Sequence, residues 1–172
     1  MEHIYENVVG WFDFQEIYSR QVKKAKDGDI FIEIGTANGK SAAFMCVEIA
    51  NSGKQITFHT VDIFPPENEI YHQEENARAL LEPFEFCSVH KMDSLEFLDQ
   101  IKDEIIEFIF LDGDHCYKTI SAELKLAFKK IKPGGTLSGH DYLNEYHPGV
   151  KKAVDKFTKK SKIIGTSFLI QK

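Results

Sequence analysis

No CxxC pair, no long apolar run and no excess of basic charge occur in these 172 residues. Each absence removes a class of function. The three cysteines, Cys46, Cys87 and Cys116, are odd in number and widely spaced, which excludes a cysteine zinc cage and fits a reducing compartment. No apolar stretch approaches the roughly 20 residues of a membrane span, and the acidic stretch MEHIYENVV lacks the apolar core of a signal peptide. The expectation is a cytoplasmic chain with no membrane partner. A net charge of −6 argues against a nucleic-acid partner, which calls for a basic stripe. The lysines within 23–26, 129–132 and 159–162 fall near the ends of expected helices, where they favour the negative end of the helix dipole. Repeats, low-complexity tracts and an interdomain linker are also missing. With 42% hydrophobic residues, the chain reads as one domain, 1–172, with its own core.

What is present is organised around DIFIEIGTANGKSAAF, Asp29 to Phe44. Ile30 to Ile34 is a short apolar run broken only by Glu33; Gly35 and Gly39 follow, then a helix-like run from Ser41 to Ala50. Strand, glycine turn and helix in that order place a small-molecule site at the carboxyl edge of a parallel sheet, against a helix N-terminus. Glu33 stands out, because a carboxylate in a buried strand costs free energy unless something pairs with it.

Before that stretch, residues 1–28 carry Trp11, Phe12, Phe14, Ile17, Tyr18 and Val22 at loosely helical spacing. This segment is expected to cover the sheet; a lid or a homodimer contact is its alternative role. After it, Gln55 to Ile63 alternates as a second strand, stopped by Pro65-Pro66. A helix with Ile70, Ala77, Leu80 and Leu81 inward closes at Pro83, and Phe84 to His90 is strand three. Ser94 is expected to cap the next helix, with Leu95, Leu98, Ile101 and Ile105 on its inner face. Ile106 to Leu111 is a strand apolar enough to be buried on both faces.

A helix then keeps Tyr117, Ile120, Leu124, Ala127, Phe128 and Ile131 on one face, and Lys132-Pro133-Gly134-Gly135 ends it. Thr136 to Gly139 is a short fifth strand running into His140-Asp141-Tyr142. Pro148 suits the first turn of a helix presenting Val150, Ala153, Val154 and Phe157. Lys162 to Gly165 and Ser167 to Ile170 are joined by so little chain that they can only pair antiparallel. The pattern is α/β, a mostly parallel sheet closed by an antiparallel hairpin.

Two ligand classes compete for the glycine turn. The dinucleotide fingerprint GxGxxG needs its second glycine for close approach of a pyrophosphate, and here Ala37 stands at that position with Lys40 at the third. A P-loop fails on spacing, since only three residues separate Gly35 from Gly39. The acids point elsewhere: Glu33 leads into the turn, Asp62 ends strand two, Asp93-Ser94 follows strand three and Asp112 ends strand four. A carboxylate at Asp62 suits the two hydroxyls of a ribose, and one at Asp93 the exocyclic amine of an adenine. Carboxylates at four successive strand ends suit a ligand with a ribose, a purine amine, an ammonium group and a sulfonium, and repel a pyrophosphate.

On these residues the sequence resembles the class I S-adenosylmethionine-dependent methyltransferases over about residues 25–172. Their first motif matches Glu33-Ile34-Gly35-Thr36-Ala37-Asn38-Gly39-Lys40-Ser41, their second-strand acid Asp62, and their adenine-side position Asp93-Ser94. FIFLDGDHCY at 108–117, KPGG at 132–135 and GHDY at 139–142 are similar to a group that includes macrolide-sugar O-methyltransferases and cephalosporin hydroxylase-like proteins. The resemblance implies a Rossmann-like three-layer sandwich with a seven-stranded sheet, and S-adenosylmethionine as cofactor. The cofactor would be held by Glu33, Gly35, Thr36, Gly39, Ser41, Asp62, Ile63, Asp93, Ser94 and Asp112. It also implies a small hydroxylated acceptor, sugar- or polyol-like.

A second constellation, Asp112, Asp114, His115, His140 and Asp141, follows strands four and five. Methyl transfer from a sulfonium to an alcohol is a displacement, so the enzyme must align the hydroxyl and take up its proton. A high-pKa hydroxyl needs a general base or a cation. By the resemblance His115 is the base, and Asp112, His140 and Asp141 are candidate ligands of a magnesium or manganese ion. Metal-dependent relatives usually carry an acidic pair where this chain has His140-Asp141. Imidazole is a poor ligand for magnesium and a better one for manganese, so either His140 stands outside the coordination sphere or the metal differs or is absent. Two other readings remain: a nicotinamide-dependent oxidoreductase, disfavoured by Ala37 and Lys40, and a cofactor-binding member without independent catalysis.

Overall fold

The computed structural model describes residues 1–65 and 73–172. Ile30–Ile34 forms β1 at the centre of a seven-stranded sheet, paired in parallel with β2 (Thr57–Asp62) on one side and β4 (Ile106–Leu111) on the other. β3 is Cys87–Lys91, β5 Ile131–Gly139, β6 Lys162–Ile164 and β7 Ser167–Gln171, in the order β3-β2-β1-β4-β5-β7-β6. The first five are parallel, and β7 runs antiparallel to both β5 and β6. The strand order reverses between β1 and β4, which opens a crevice at their carboxyl ends.

Period-two alternation divides the core. Phe31, Phe58, Phe108 and Phe110 face a layer made by α1 (Gln15–Lys24), α2 (Lys40–Ser52) and α3 (Glu74–Leu81). Ile32, Ile34, Ile109, Leu111 and Leu137 face α4 (Ser94–Gln100), α5 (Tyr117–Lys130) and α6 (Pro148–Phe157). α1 therefore packs on a sheet face, with Phe14 stacked on Phe110 at 4.3 Å between ring centroids and Tyr18 fully buried. Among the described residues no helix is long and apolar enough to cross a membrane.

Several expected boundaries shift. Strand two is shorter than Gln55–Ile63, and strand three starts three residues after Phe84. The helix ends at Lys130, but the KPGG segment continues as sheet from Ile131 with a register irregularity against β4, because its backbone still finds partners there. Ser94 does not cap α4; Asp93 does, its Oδ1 accepting the N–H groups of Leu95 and Glu96. Phe97 takes the inner position expected of Ile105, which is 40% exposed because α4 stops at Gln100. Ile70 and His72 lie outside the described residues.

Glu33 shares its face with Phe31, two residues earlier, so it points into the α1–α2 layer rather than into the crevice. Its Oε1 accepts from the Tyr18 hydroxyl at 2.7 Å and its Oε2 from Thr60 Oγ1 at 2.6 Å. Burial pushes its carboxyl from 4.5 up to about 7, against the lowering effect of Thr60, Ser41 and Tyr18. A carboxyl raised on folding destabilises the native state as pH climbs through that window: no cost below 4.5, the full cost above 7. Relative to wild type, Glu33→Gln is expected to gain about 3 kcal/mol of stability between pH 4 and pH 8. Urea unfolding of both proteins at the two pH values measures it; parallel changes would show that Glu33 does not titrate in this range.

Candidate active site

The turn after β1 depends on backbone that only some residues tolerate. Gly35 has φ +103, and a Cβ there would lie 2.1 Å from the carbonyl oxygen of Asp112. Ala37, where a dinucleotide fingerprint has glycine, also sits in the left-handed region at φ 47. What holds it there is Asp62, whose Oδ2 accepts the Ala37 N–H at 2.8 Å while its Oδ1 accepts that of Phe64 at 2.7 Å. Asp62 thus ties the ends of β1 and β2 together.

A cavity of about 390 Å³ opens over these strand ends. Gly35, Asp62, Ile63, Asp93 and Ser94, all expected cofactor residues, line it, together with Met92, Asp114, Thr119 and Glu123. Glu33, Thr36, Gly39 and Ser41 are not among its walls. Thr36 is buried with its hydroxyl on that of Thr60, Gly39 starts α2 at φ 84 against Ala77, and Ser41 belongs with Glu33 beneath the turn. Asp112 meets Gly35 through its backbone and directs its side chain the other way. The carboxylates at the strand ends therefore do not form one ring. Asp62, Asp93 and Asp114 face the cavity, Glu33 supports the sheet, and Asp112 joins the second constellation.

That constellation assembles at the carboxyl ends of β4 and β5, neighbours in the sheet. Asp141 Oδ2 lies 2.7 Å from His115 Nε2 and 3.3 Å from His140 Nδ1, while Asp112 Oδ1 lies 3.5 Å from His140 Nδ1 and 3.9 Å from His115 Nε2. His140 Nε2 is held from behind by Asp13 at 2.8 Å and Thr166 at 2.8 Å. Asn144 donates to the other oxygen of Asp141 at 2.5 Å, and His147 stacks on His115 at 4.0 Å. Asp141 itself has φ 60, a conformation Asp tolerates better than most residues.

The electrostatics follow from that packing. Asp112 and Asp141 push His115 up to about 9, against the lowering effect of burial. Burial would also lower His140, yet the same two carboxylates carry it up to about 10. Despite burial, which raises it, Asp141 is held well below the usual carboxylate range by His115, His140 and Asn144. The 2.7 Å contact of His115 is out of line with its ring N–H, so its buried Nε2 has no hydrogen-bond partner among the described residues.

Among the described residues two overlapping groups could hold a metal ion: Asp112, His140 and Asp141, and His115, Asp141 and His147, the ligand atoms of each lying within 4.8 Å of one another. A mixed carboxylate–imidazole set suits manganese or iron better than magnesium. Asp13 behind His140 is the kind of outer partner that orients a ligating imidazole. Asp114, by contrast, turns back to accept the Cys116 N–H at 2.9 Å. Cys116 is exposed, and His59 and His90 bond each other at 3.1 Å on the sheet.

Sequence reasoning missed Asp13, Asn144, His147 and Thr166, which reach the cluster from three different segments. Glu123 left a signal. It stands between Ile120 and Leu124 on the buried stripe of α5, where the helical period calls for an apolar side chain.

A family model described as a methyltransferase domain matches residues 32–142. Among solved structures, the O-methyltransferase NovP superimposes with a TM-score of 0.71 at 19% identity, over 92% of this chain and 78% of that one. CalS11, a TDP-rhamnose 3′-O-methyltransferase, gives 0.67 at 13% identity over 91% and 76%. An O-methyltransferase from Bacillus cereus in complex with S-adenosylhomocysteine gives 0.62 at 18% over 92% and 78%. At these identities the likeness is one of fold. The comparison with curated proteins finds no match.

Proposed function

Because this chain belongs to the methyltransferase-domain family and has the class I S-adenosylmethionine-dependent methyltransferase fold, we propose that it transfers a methyl group to a hydroxyl of a small acceptor, sugar- or polyol-like. The observation that carries this reading is the juxtaposition of the cavity beside Gly35 and Asp62 with the acid–imidazole cluster across the Asp112 backbone. S-adenosylmethionine bound there would supply a methyl carbon on a sulfonium: the acceptor oxygen would bond to that carbon as the sulfur left with its electron pair, giving an ether and a neutral thioether. The hydroxyl proton would go to the His115 imidazole, which lies beside Asp112 and Asp141.

His115 must be neutral to accept it, and its pKa of about 9 keeps it charged at neutral pH. Asp112, His140 and Asp141 would hold a divalent cation, preferably manganese, whose charge would lower the pKa of a bound hydroxyl and offset the carboxylates that keep His115 protonated. Asp13 and Thr166 fix the His140 ring, and Asn144 fixes Asp141.

Titration calorimetry with S-adenosylmethionine and S-adenosylhomocysteine tests the cofactor half. Saturable binding is expected for both, weakened about tenfold or more in Asp62→Ala as the turn between β1 and α2 loses its anchor. No binding to wild type at millimolar ligand sinks the reading, and a change in NADH fluorescence on mixing would favour an oxidoreductase instead.

A further inference from the structure

The wall of the cavity holds one acid that no motif accounts for. Glu123 reaches it from α5 and is 1% exposed. Its Oε1 accepts the Ser94 hydroxyl at 2.6 Å, whereas its Oε2 is buried with no hydrogen-bond partner among the described residues. Burial drives the carboxyl up to about 7, aided by Asp114 and Asp93 and opposed by Ser94 and His115. A buried oxygen left without a donor is costly, and a helix stripe between Ile120 and Leu124 has no structural use for one. A donor supplied by a ligand removes the cost.

The ligand group that reaches it is set by the layout. The reacting sulfonium must face the Asp112–His115 cluster, beyond β4. In the sheet order β3-β2-β1-β4-β5, Asp62 at the end of β2 separates that side from Ser94 after β3, to which Glu123 is bonded, so the Ser94–Glu123 side is left for the part of the ligand farthest from the methyl group. Asp93, which the sequence offers for this role, has its Oδ1 committed to the first turn of α4.

We propose that Glu123 is the residue that selects the base of the cofactor, its Oε2 accepting a hydrogen from the exocyclic amine of adenine while Ser94 holds the carboxyl in place. The assignment rests on the S-adenosylmethionine reading. It makes the pocket selective by donor–acceptor polarity. A base with a carbonyl where adenine has its amine sets an oxygen against Glu123 Oε2. A site that hydrogen-bonds a ligand group discriminates against the analogue lacking it, because the buried partner is left unpaired.

The test, run at pH 8.5 where a carboxyl with a pKa of about 7 is ionised and can only accept, compares the affinities of S-adenosylhomocysteine and S-inosylhomocysteine, in which a carbonyl replaces the six-position amine and N1 gains a hydrogen, for wild type, Glu123→Gln and Glu123→Leu. Wild type is expected to prefer the adenosyl compound by about tenfold or more. Glu123→Gln is nearly isosteric and keeps an oxygen for Ser94, which turns its NH₂ into the cavity. Its preference is expected to fall to parity or to favour the inosyl compound. Glu123→Leu, whose fold is checked by its unfolding midpoint, is expected to bind both compounds alike. Equal binding of the two by wild type, or an unchanged ratio in Glu123→Gln, overturns the assignment alone. A wild type that binds neither overturns the cofactor reading, and this assignment with it.

Discussion

Gly35→Ala is expected to destabilise the protein by on the order of 3–5 kcal/mol and to abolish cofactor binding. Two costs add at this position. The backbone has φ +103, which an L side chain rarely adopts, and the new Cβ would lie 2.1 Å from Asp112 O and 2.5 Å from its carbonyl carbon. Neither neighbour is a flexible side chain that can swing away. The Gly35 N–H donates to Val61 O at 2.8 Å and the Asp112 N–H to Ile34 O at 2.7 Å, so β1, β2 and β4 are locked together around the clash. Gly53→Ala is the control: φ is +67 there, but nothing lies within 4 Å of its Cβ, so it is expected to cost only about 1 kcal/mol. Urea unfolding of the two variants side by side decides the matter. Equal midpoints would mean that the ends of β1 and β4 do not approach as closely as described.

Asp141→Asn is expected to lower the rate of methyl transfer on the order of 10²–10³-fold while leaving S-adenosylhomocysteine affinity unchanged. Asp141 touches both imidazoles and is one of the three residues that would hold the cation, so its loss weakens the charge that would lower the pKa of the acceptor hydroxyl, but it does not line the cavity beside Gly35. Its loss removes one of the two carboxylates that raise His115, so the pKa of about 9 falls and the residual activity rises with pH earlier than in wild type. The stability of the variant carries the same signature. His115 and His140 are raised on folding, so their contribution is fully present below the ordinary value of 6.5 and is lost as pH rises through about 9 and 10. That alkaline loss is expected to shrink in Asp141→Asn. An unchanged rate, or a pH profile that does not move, would remove Asp141 from the proton-accepting machinery.

The parts of this protein that were legible in the chain are those set by local pattern. Ile106 to Leu111 is a strand with the expected bounds because six nearly apolar residues between a helix and Asp112 have no other way to be buried. The closing hairpin was readable because Gly165-Thr166 is too short for a crossover. Pro148 begins α6 because its missing N–H costs nothing in the first turn. The caps were harder. Asp93 and Ser94 both suit an N-cap by residue type, and only the position of Glu123, which takes the Ser94 hydroxyl, leaves the cap to Asp93.

The sequence by itself determined that a glycine turn follows β1, that carboxylates end the neighbouring strands, and that acids and imidazoles follow β4 and β5. Those are consequences of residue type and of spacing within one element. Only the tertiary structure decided which carboxylate does what, because that depends on contacts between segments far apart in the chain. Tyr18 and Thr60 turn Glu33 into a buried support, Asp13 reaches His140 across 127 residues of sequence, and Ser94 orients Glu123 toward the cavity. A carboxylate's charge, partner and use are fixed by the burial and the neighbours that folding gives it, and no period along the chain encodes these.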